Sequence, residues 1–333
     1  MKGKLGWLLR IAVTILLFVI MFAFFVKPVD LVHDLQQVVV GWLVAAAAIK
    51  GFGILSSILR WDQLLRGQGY RVPLGYLTSS FLIGRFFGMF LPSTLGLDGY
   101  RIYDVARRTH DTAGSVAVIV VEKITGFFAL SLLILVTLPA GLRFAPAPVL
   151  IGASIIFCIP VILSFVLLLR PGIIERAMNW LMRRSFPGKA RIEGFLRRLV
   201  GAVTIYQGQW GVLVRALLLS LVVHGTTVLV YYFCARAIGV QASLADMLFV
   251  GPWIILATVG LPTVGGEGAR EFTAVGLLTR IGVSESQAFL VGNLGFWVGE
   301  FIPAVLGGLI LAFRPAHYAP QIRRTSEPPS MQE

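Results

Sequence analysis

Eight strongly apolar stretches, separated by short polar connections, organise the 333 residues of this chain. They cover residues 8–26, 37–59, 74–91, 113–138, 148–169, 211–235, 245–262 and 286–313. A helix needs about 20 apolar residues to cross about 30 Å of hydrocarbon, and most of these stretches approach or exceed that length. The pattern therefore predicts an all-α polytopic membrane protein.

The stretch 74–91 runs directly into a charged passage, 92–112, that cannot face lipid. If 74–91 crossed the membrane completely, the strongly basic connection 170–206 would lie outside. If it enters and returns, the basic clusters face the cytoplasm, as the positive-inside rule expects. We therefore predict about six spanning helices and two re-entrant helical hairpins, with both termini in the cytoplasm.

Composition supports the membrane assignment and narrows the class of partner. The chain is 57% hydrophobic, has a mean hydropathy of +0.83 and is only 14% charged, which a soluble domain would not be. Its net charge of +13 sits in the connections, so we do not expect nucleic-acid binding. The two cysteines have no metal-site spacing. We read the first apolar stretch as a retained helix rather than a cleaved signal peptide, because no small-residue cleavage site follows it.

One passage occurs twice. Residues 91–101 read LPSTLGLDGYR, and residues 261–270 read LPTVGGEGAR. With one residue deleted, the flanking helices also correspond, which defines repeat units at about 37–138 and about 207–313. In the predicted topology the second unit is inverted relative to the first, and the hairpin tips meet near the midplane, where transporters of this kind bind substrate. Chance similarity between glycine-rich apolar segments is the alternative.

The rest of the chain surrounds these units within one membrane domain, 1–313. The helices 8–26 and 148–169 are additional. The segment 170–206 has apolar residues at roughly helical spacing and predicts an amphipathic helix that touches anionic lipids on the cytoplasmic face; a solvated basic loop is the alternative. The polar, proline-containing tail, 314–333, is expected to be disordered.

The repeated passage carries the candidate chemistry. Asp98 and Glu267 are expected where the second helix of each hairpin begins, and Arg101 and Arg270 follow three residues later on the same face. A capped helix with an internal ion pair explains each copy alone. Two helix N-termini with arginines at the membrane centre also form a phosphate site, beside which carboxylates hold an amine or carry a proton.

Further ionisable residues lie inside the apolar stretches, where a charge is costly and marks a candidate site. They are Lys50, Arg85, Glu122, Lys123, His224 and Glu300. We expect Glu122 to pair with a basic residue such as Arg85, and Lys123 to face elsewhere, because adjacent helical residues point about 100° apart. Lys50 is a weaker candidate, and His224 is interpreted as a packed polar residue. No metalloprotease, nucleophile-elbow or nucleotide-binding motif is present, so neither a cofactor nor nucleotide hydrolysis is predicted.

Several motifs resemble those of a known family. Residues 84–87 (GRFF), 91–94 (LPST), 98–101 (DGYR), 122–126 (EKITG) and 265–271 (GGEGARE) are similar to the membrane domain of lysylphosphatidylglycerol synthases. The resemblance extends over most of residues 1–313 and is closest to the stand-alone, flippase-like branch.

The resemblance implies a bacterial or archaeal plasma-membrane protein that moves a lipid or lipid-linked headgroup between leaflets. It carries Arg85, Asp98, Arg101, Glu122, Arg270 and Glu271 over as site residues. Two features depart from the family pattern: Glu267 stands where a small or apolar residue is expected, and Lys123 replaces an arginine. No aminoacyl-transferase domain follows in this sequence, so lipid lysylation by this chain is not expected.

Three functions stay open at this point. The first is a flippase, not an enzyme, that binds the headgroup of a phospholipid or of a lipid-linked sugar. The second is a membrane transferase, or its accessory subunit, that acts on a lipid-linked sugar or an envelope lipid. The third is a scaffold that recruits a soluble enzyme through 170–206. A homo-oligomer is compatible with each of them.

Overall fold

The computed structural model describes residues 2–90, 95–170, 189–261 and 263–313, together with 172, 173, 176, 179 and 180. The first helices are α1 (Lys2–Phe24), α2 (Pro28–Gln36), α3 (Val40–Gly67), α4 (Leu74–Phe90), α5 (Leu95–Thr109), α6 (Thr112–Gly141) and α7 (Ala147–Leu169). Then follow α8 (Lys189–Thr204), α9 (Trp210–Ala237), α10 (Leu244–Gly260), α11 (Ala269–Leu278), α12 (Glu285–Phe296) and α13 (Ile302–Phe313). A 3₁₀ turn, Thr279–Ile281, follows α11, and a π-helical turn, Trp297–Phe301, joins α12 to α13.

The helices confirm the predicted all-α polytopic class. In the described part of the chain there is no strand, and five helical units are long and apolar enough to span a membrane. They are α3, α6, α7, α9 and the continuous run from α12 to α13. A sixth span is formed if α1 and α2 are counted together, although the chain bends by 87° between them. The first predicted stretch, 8–26, therefore ends in a sharp bend.

Helices α3 and α9 lie antiparallel at the centre of the molecule. Near the start of α3, the Val39 amide donates to the Ala237 carbonyl at 2.8 Å. At the other end, the Gln209 side chain donates to the Gly67 carbonyl at 3.1 Å. The two helices approach closely at Gly53, where an added Cβ would lie 2.4 Å from the Thr226 hydroxyl. The first helices of the two predicted units thus run in opposite directions.

Two helical hairpins, α4–α5 and α10–α11, enter this core from opposite ends. The first opens at the end where the Tyr70 hydroxyl donates to Asp111 at 2.5 Å, which we call the Tyr70 end. The second opens at the end where the Gln287 side chain donates to the Ile238 carbonyl at 3.3 Å, which we call the Ile238 end. Each hairpin therefore points its tip into the molecule.

The two units also exchange equivalent neighbours. Helix α4 of the first unit packs against α13 at the end of the second, and α10 of the second unit packs against α6 at the end of the first. An approximate twofold axis between the units produces such an exchange. This pattern supports the predicted inverted correspondence, which we carry forward as part of the proposal below.

The remaining segments lie at the periphery. Helix α7 packs on α6 and leaves Ile155, Ile156 and Ile159 exposed on the protein surface, as a lipid-facing helix does. Helix α8 turns Ala202 and Val203 into the core at the Tyr70 end and leaves Arg197 exposed, so this part of the basic segment is amphipathic. Most of 171–188 and all of 314–333 lie outside the described residues.

Candidate functional site

A cavity of about 320 Å³ lies between the two hairpins and the central helices. Leu97, near the tip of the first hairpin, and Gly265, in the tip of the second, both line it. Its charged residues are Lys50, Arg85, Glu267, Arg270 and Glu300. Most of its other lining residues are apolar or small. The structure therefore brings charges from both hairpins and from α3 around one space.

Three of these residues form an ion cluster on one wall. The Lys50 ammonium of α3 lies 3.1 Å from Glu300 Oε1, and Arg85 of α4 donates through Nη1 to Glu300 Oε2. The side chain of Lys50 is buried, at 8% exposure, and that of Arg85 is mostly buried, at 12% exposure, whereas Glu300 exposes 46% of its side chain. One carboxylate thus bridges two buried cations and faces the open space.

The π-helical turn places Glu300 at this point. Residues 297–301 interrupt the α-helical ladder between α12 and α13, and such interruptions concentrate at functional sites. The preceding residue, Gly299, also lines the cavity, and an added Cβ there would lie 3.7 Å from the Lys50 nitrogen. Because Gly299 has no side chain, the π-helical turn and α3 are close enough for Lys50 to reach the Glu300 carboxylate.

The second hairpin corrects one prediction. Helix α11 begins at Ala269, and Glu271, not Glu267, caps it by accepting from the Gly268 amide at 2.8 Å. Arg270 likewise donates through Nη2 to Glu271 at 2.7 Å. Glu271 is completely buried and does not line the cavity. Gly265, Gly266 and Gly268 form a turn before α11, so Glu267 lies outside the first turn of this helix.

Glu267 is therefore left in the cavity wall. Its side chain is partly buried, and within the described residues its carboxylate has no cation within 4.0 Å. Arg270 also lines the cavity, with its guanidinium 4.7 Å from the centre of the Phe296 ring. The second hairpin thus contributes one unpaired acid and one arginine that is already paired.

The first hairpin holds a separate and closed network. Arg101 of α5 donates to Asp98 at 2.6 Å and to Glu122 of α6 at 3.0 Å. Glu122 also accepts from Arg60 of α3 at 2.7 Å, and the Lys123 nitrogen lies 2.8 Å from Asp98. Glu122 therefore pairs with basic residues, as expected, but they are Arg60 and Arg101 and not the suggested Arg85, which binds Glu300 instead.

Helix α5 begins at Leu95, so Asp98 lies in its first turn, near the helix start where it is expected. The expectation for Lys123 needs correction. Lys123 does not face elsewhere but joins the same network through Asp98. Asp98, Arg101 and Glu122 are all buried, and none of the network residues lines the cavity. The predicted site residues consequently divide into a closed ion network and an open cavity.

Sequence reasoning missed the role of Arg60 and undervalued Lys50. The apolar stretch 37–59 ends directly before Arg60, so the hydrophobic pattern does not mark this residue as buried. Helix α3 continues to Gly67, so Arg60 lies within the helix and buries its guanidinium against Glu122 and Ser220. Lys50 and Glu300 carry opposite charges inside two apolar stretches. This was the feature of the sequence that could have indicated their ion pair at the cavity wall.

Two comparisons with known proteins each cover most of the chain. Residues 7–308, which include both hairpins and the cavity, match the family described as the lysylphosphatidylglycerol synthase TM region. The UPF0104 membrane protein PH1989 of Pyrococcus horikoshii is 21% identical over 326 residues, which cover 91% of this chain and 95% of that protein.

Proposed function

Because the chain belongs to the lysylphosphatidylglycerol synthase TM-region family, we propose that it moves a phosphate-bearing lipid headgroup between membrane leaflets. The observation that carries this proposal is the cavity between two oppositely directed hairpins, lined by three cations and two carboxylates. The substrate is the headgroup of a phospholipid or of a lipid-linked sugar.

The first argument for this function is the free-energy cost of placing charged side chains in the hydrocarbon region. A charged side chain in the hydrocarbon region costs a few kcal/mol or more, so charges at that depth pair with one another or line a wet space. In the network around Arg101, each of the two carboxylates is paired with two cations, and none of these residues lines the cavity. At the cavity, by contrast, Glu267 has no ion-pair partner among the described residues and Glu300 is half exposed, which is the arrangement expected where a polar group enters.

The lining fits an amphipathic substrate. Lys50, Arg85 and Arg270 are donors for phosphate oxygens, and a guanidinium binds two such oxygens at once. Glu267 stands on the opposing hairpin, where it binds an amine or a sugar hydroxyl. Apolar residues such as Val230 and Ile255 complete the walls. In this proposal the headgroup occupies the cavity while the acyl chains stay in the hydrocarbon.

The inverted units give the route. Each hairpin opens at a different end of the molecule, so a small movement of one hairpin against the core would connect the cavity with one membrane surface at a time. Alternating access of this kind around a fixed midplane site is a property of inverted-repeat transporters. We place the protein in the plasma membrane with the basic Tyr70 end, and both termini, in the cytoplasm.

Reconstitution into liposomes that contain a fluorescent phospholipid tests the function. We expect the wild type to move the labelled lipid between leaflets and Arg85→Gln to lower the rate by about tenfold or more, since hydrogen bonds to charged groups contribute about 1.5–3 kcal/mol.

Arg215→Gln is the matched control, because Arg215 is exposed on α9 and donates to its own helix at Gly211. A wild type that leaves the lipid in place, or an Arg85→Gln protein as fast as the control, would contradict the proposal. A modified lipid formed by the pure protein would identify a transferase. Activity that survives Arg85→Gln but is lost when the exposed Arg197 and Arg198 of the segment 170–206 are replaced by glutamine would identify a scaffold.

A further inference from the structure

The ion cluster on the cavity wall has an unequal charge. Two cations, Lys50 and Arg85, share the single carboxylate of Glu300. In addition, Arg85 Nε is buried without a hydrogen-bond partner among the described residues. Among the described residues, Glu267 is the one other carboxylate that lines the cavity, and it is not within 4.0 Å of either cation. The cluster therefore keeps one positive charge and an unused donor.

The three members of the cluster differ in exposure. Lys50 and Arg85 are held in protein on most sides, and the Arg85 guanidinium lies 5.1 Å from the centre of the Phe81 ring. Glu300 exposes almost half of its side chain to the cavity. Of the three side chains, Glu300 is therefore the one with the most open space beside it.

We propose that Lys50 and Arg85 form an anion subsite and that Glu300 is its exchangeable counter-ion. This inference rests on the proposed function. A phosphate group of the incoming headgroup displaces the carboxylate and takes over its hydrogen bonds from Lys50 and Arg85. A phosphodiester carries the same single charge as the carboxylate, and its two unesterified oxygens replace the two carboxylate oxygens that accept from Lys50 and Arg85.

The displaced carboxylate explains how the substrate leaves again. Transport requires binding that is favourable enough for entry and weak enough for exit. Glu300 remains beside the bound phosphate after the exchange, and two like charges a few Å apart repel each other strongly in a medium of low polarity. The carboxylate thus competes for the cations and promotes release of the phosphate to either side.

The experiment measures anion binding to the purified full-length protein in a phosphate-free detergent buffer. The probes are inorganic phosphate, a short-chain phosphatidylglycerol and, as the uncharged comparison, a diacylglycerol with the same chains. We expect Glu300→Gln to bind both phosphate-containing probes about tenfold more tightly than wild type. Lys50→Gln and Arg85→Gln should each lose most of the binding, and no variant should change the diacylglycerol affinity.

For the inorganic phosphate probe, Glu267→Gln is the matched control, because it removes the same charge from the same cavity but breaks no ion pair among the described residues. A general electrostatic effect would raise the affinity equally in Glu267→Gln and Glu300→Gln, and that result would overturn the inference. Thermal unfolding provides a second measurement. Glu300→Gln leaves two buried cations unpaired, so phosphate should raise its melting temperature more than that of the wild type or of Glu267→Gln.

The outcome is separable from the proposed function. Unchanged phosphate affinity in Glu300→Gln, with normal lipid movement by the wild type, would overturn the counter-ion and leave the flippase proposal standing. The expected affinity pattern in a protein that moves no lipid would support the anion subsite and contradict the flippase. The ratio of affinities for phosphatidylglycerol and inorganic phosphate distinguishes a lipid headgroup from free phosphate as the ligand.

Discussion

Glu122 and Lys123 are neighbours in sequence and bind different partners in one network. Glu122 accepts from Arg60 and Arg101, while Lys123 binds Asp98. Asp98 and Arg101 are themselves paired, which joins the two. The 100° rotation between adjacent helical residues separates their direct partners, as expected. It does not separate their networks, because the ion pair between Arg101 and Asp98 connects the partner of Glu122 with the partner of Lys123.

At this scale we predict that Glu122→Gln strongly destabilises the protein. The change leaves Arg60 and Arg101 buried with much less compensating charge, and loss of one partner from a buried ion pair costs about 3–5 kcal/mol. Unfolding of the purified variant, followed by heat or denaturant, measures the loss.

Glu193→Gln is the control for that variant. Glu193 pairs with the exposed Arg197 on α8, and a surface pair of this kind contributes no more than about 1 kcal/mol. Equal stability of the two variants would show that the network around Glu122 is not a structural clamp. The comparison also separates fold from transport, since neither residue lines the cavity.

At the scale of elements, the tip of the second hairpin depends on glycine. Gly265, Gly266 and Gly268 all have positive φ angles, of 61°, 79° and 78°. At Gly266 an added Cβ would also lie 2.2 Å from a side-chain carbon of Thr258 on α10. These glycines allow the chain to turn tightly into α11 and bring Glu267 and Arg270 to the cavity.

We therefore predict that Gly266→Ala destabilises the second hairpin by about 1–3 kcal/mol, the cost of an alanine in a left-handed conformation, and reduces lipid movement. Melting temperature and the liposome measurement test both effects.

Gly276→Ala provides the comparison within the same hairpin. Gly276 lies inside α11 with no atom within 4 Å of an added Cβ, so alanine should be neutral or stabilising by up to about 1 kcal/mol. A Gly266→Ala protein that is as stable and active as Gly276→Ala would show that the turn tolerates a side chain.

At the scale of the whole molecule, the distribution of basic residues between the two ends predicts how the protein is oriented in the membrane. More basic residues lie at the Tyr70 end than at the Ile238 end: the first has Arg66, Arg71, Arg107, Arg108, Arg197 and Arg198, and the second has Lys27, Arg143, Arg236 and Arg280. From the positive-inside rule we predict that the Tyr70 end faces the cytoplasm.

Cysteine labelling of intact cells checks this orientation. In a chain with Cys158 and Cys234 replaced by alanine, a cysteine at Asp30 should react with a membrane-impermeant thiol reagent. A cysteine at Gln207, which is exposed near the Tyr70 end, should react only after permeabilisation. The reverse pattern would invert the topology and with it the direction in which each hairpin opens.

The sequence alone determined the membrane character, the approximate helix positions and the two interrupted hairpins. These features depend on local properties: the length of an apolar run, the charge of a connection, and the effect of proline and glycine on a helix. The tail, 314–333, and the inverted relation of the units remain predictions of the same kind.

Only the tertiary structure decided which charges pair and which surround the cavity. Lys50 and Glu300 are separated by 250 positions in the chain, and Arg60 and Ser220 by 160. Whether such residues meet depends on the packing distance and rotation of α3 against α9 and the π-helical turn. The packing of these helices places Arg101 and Glu122 in a closed network and Arg85, Glu267 and Glu300 at the open cavity.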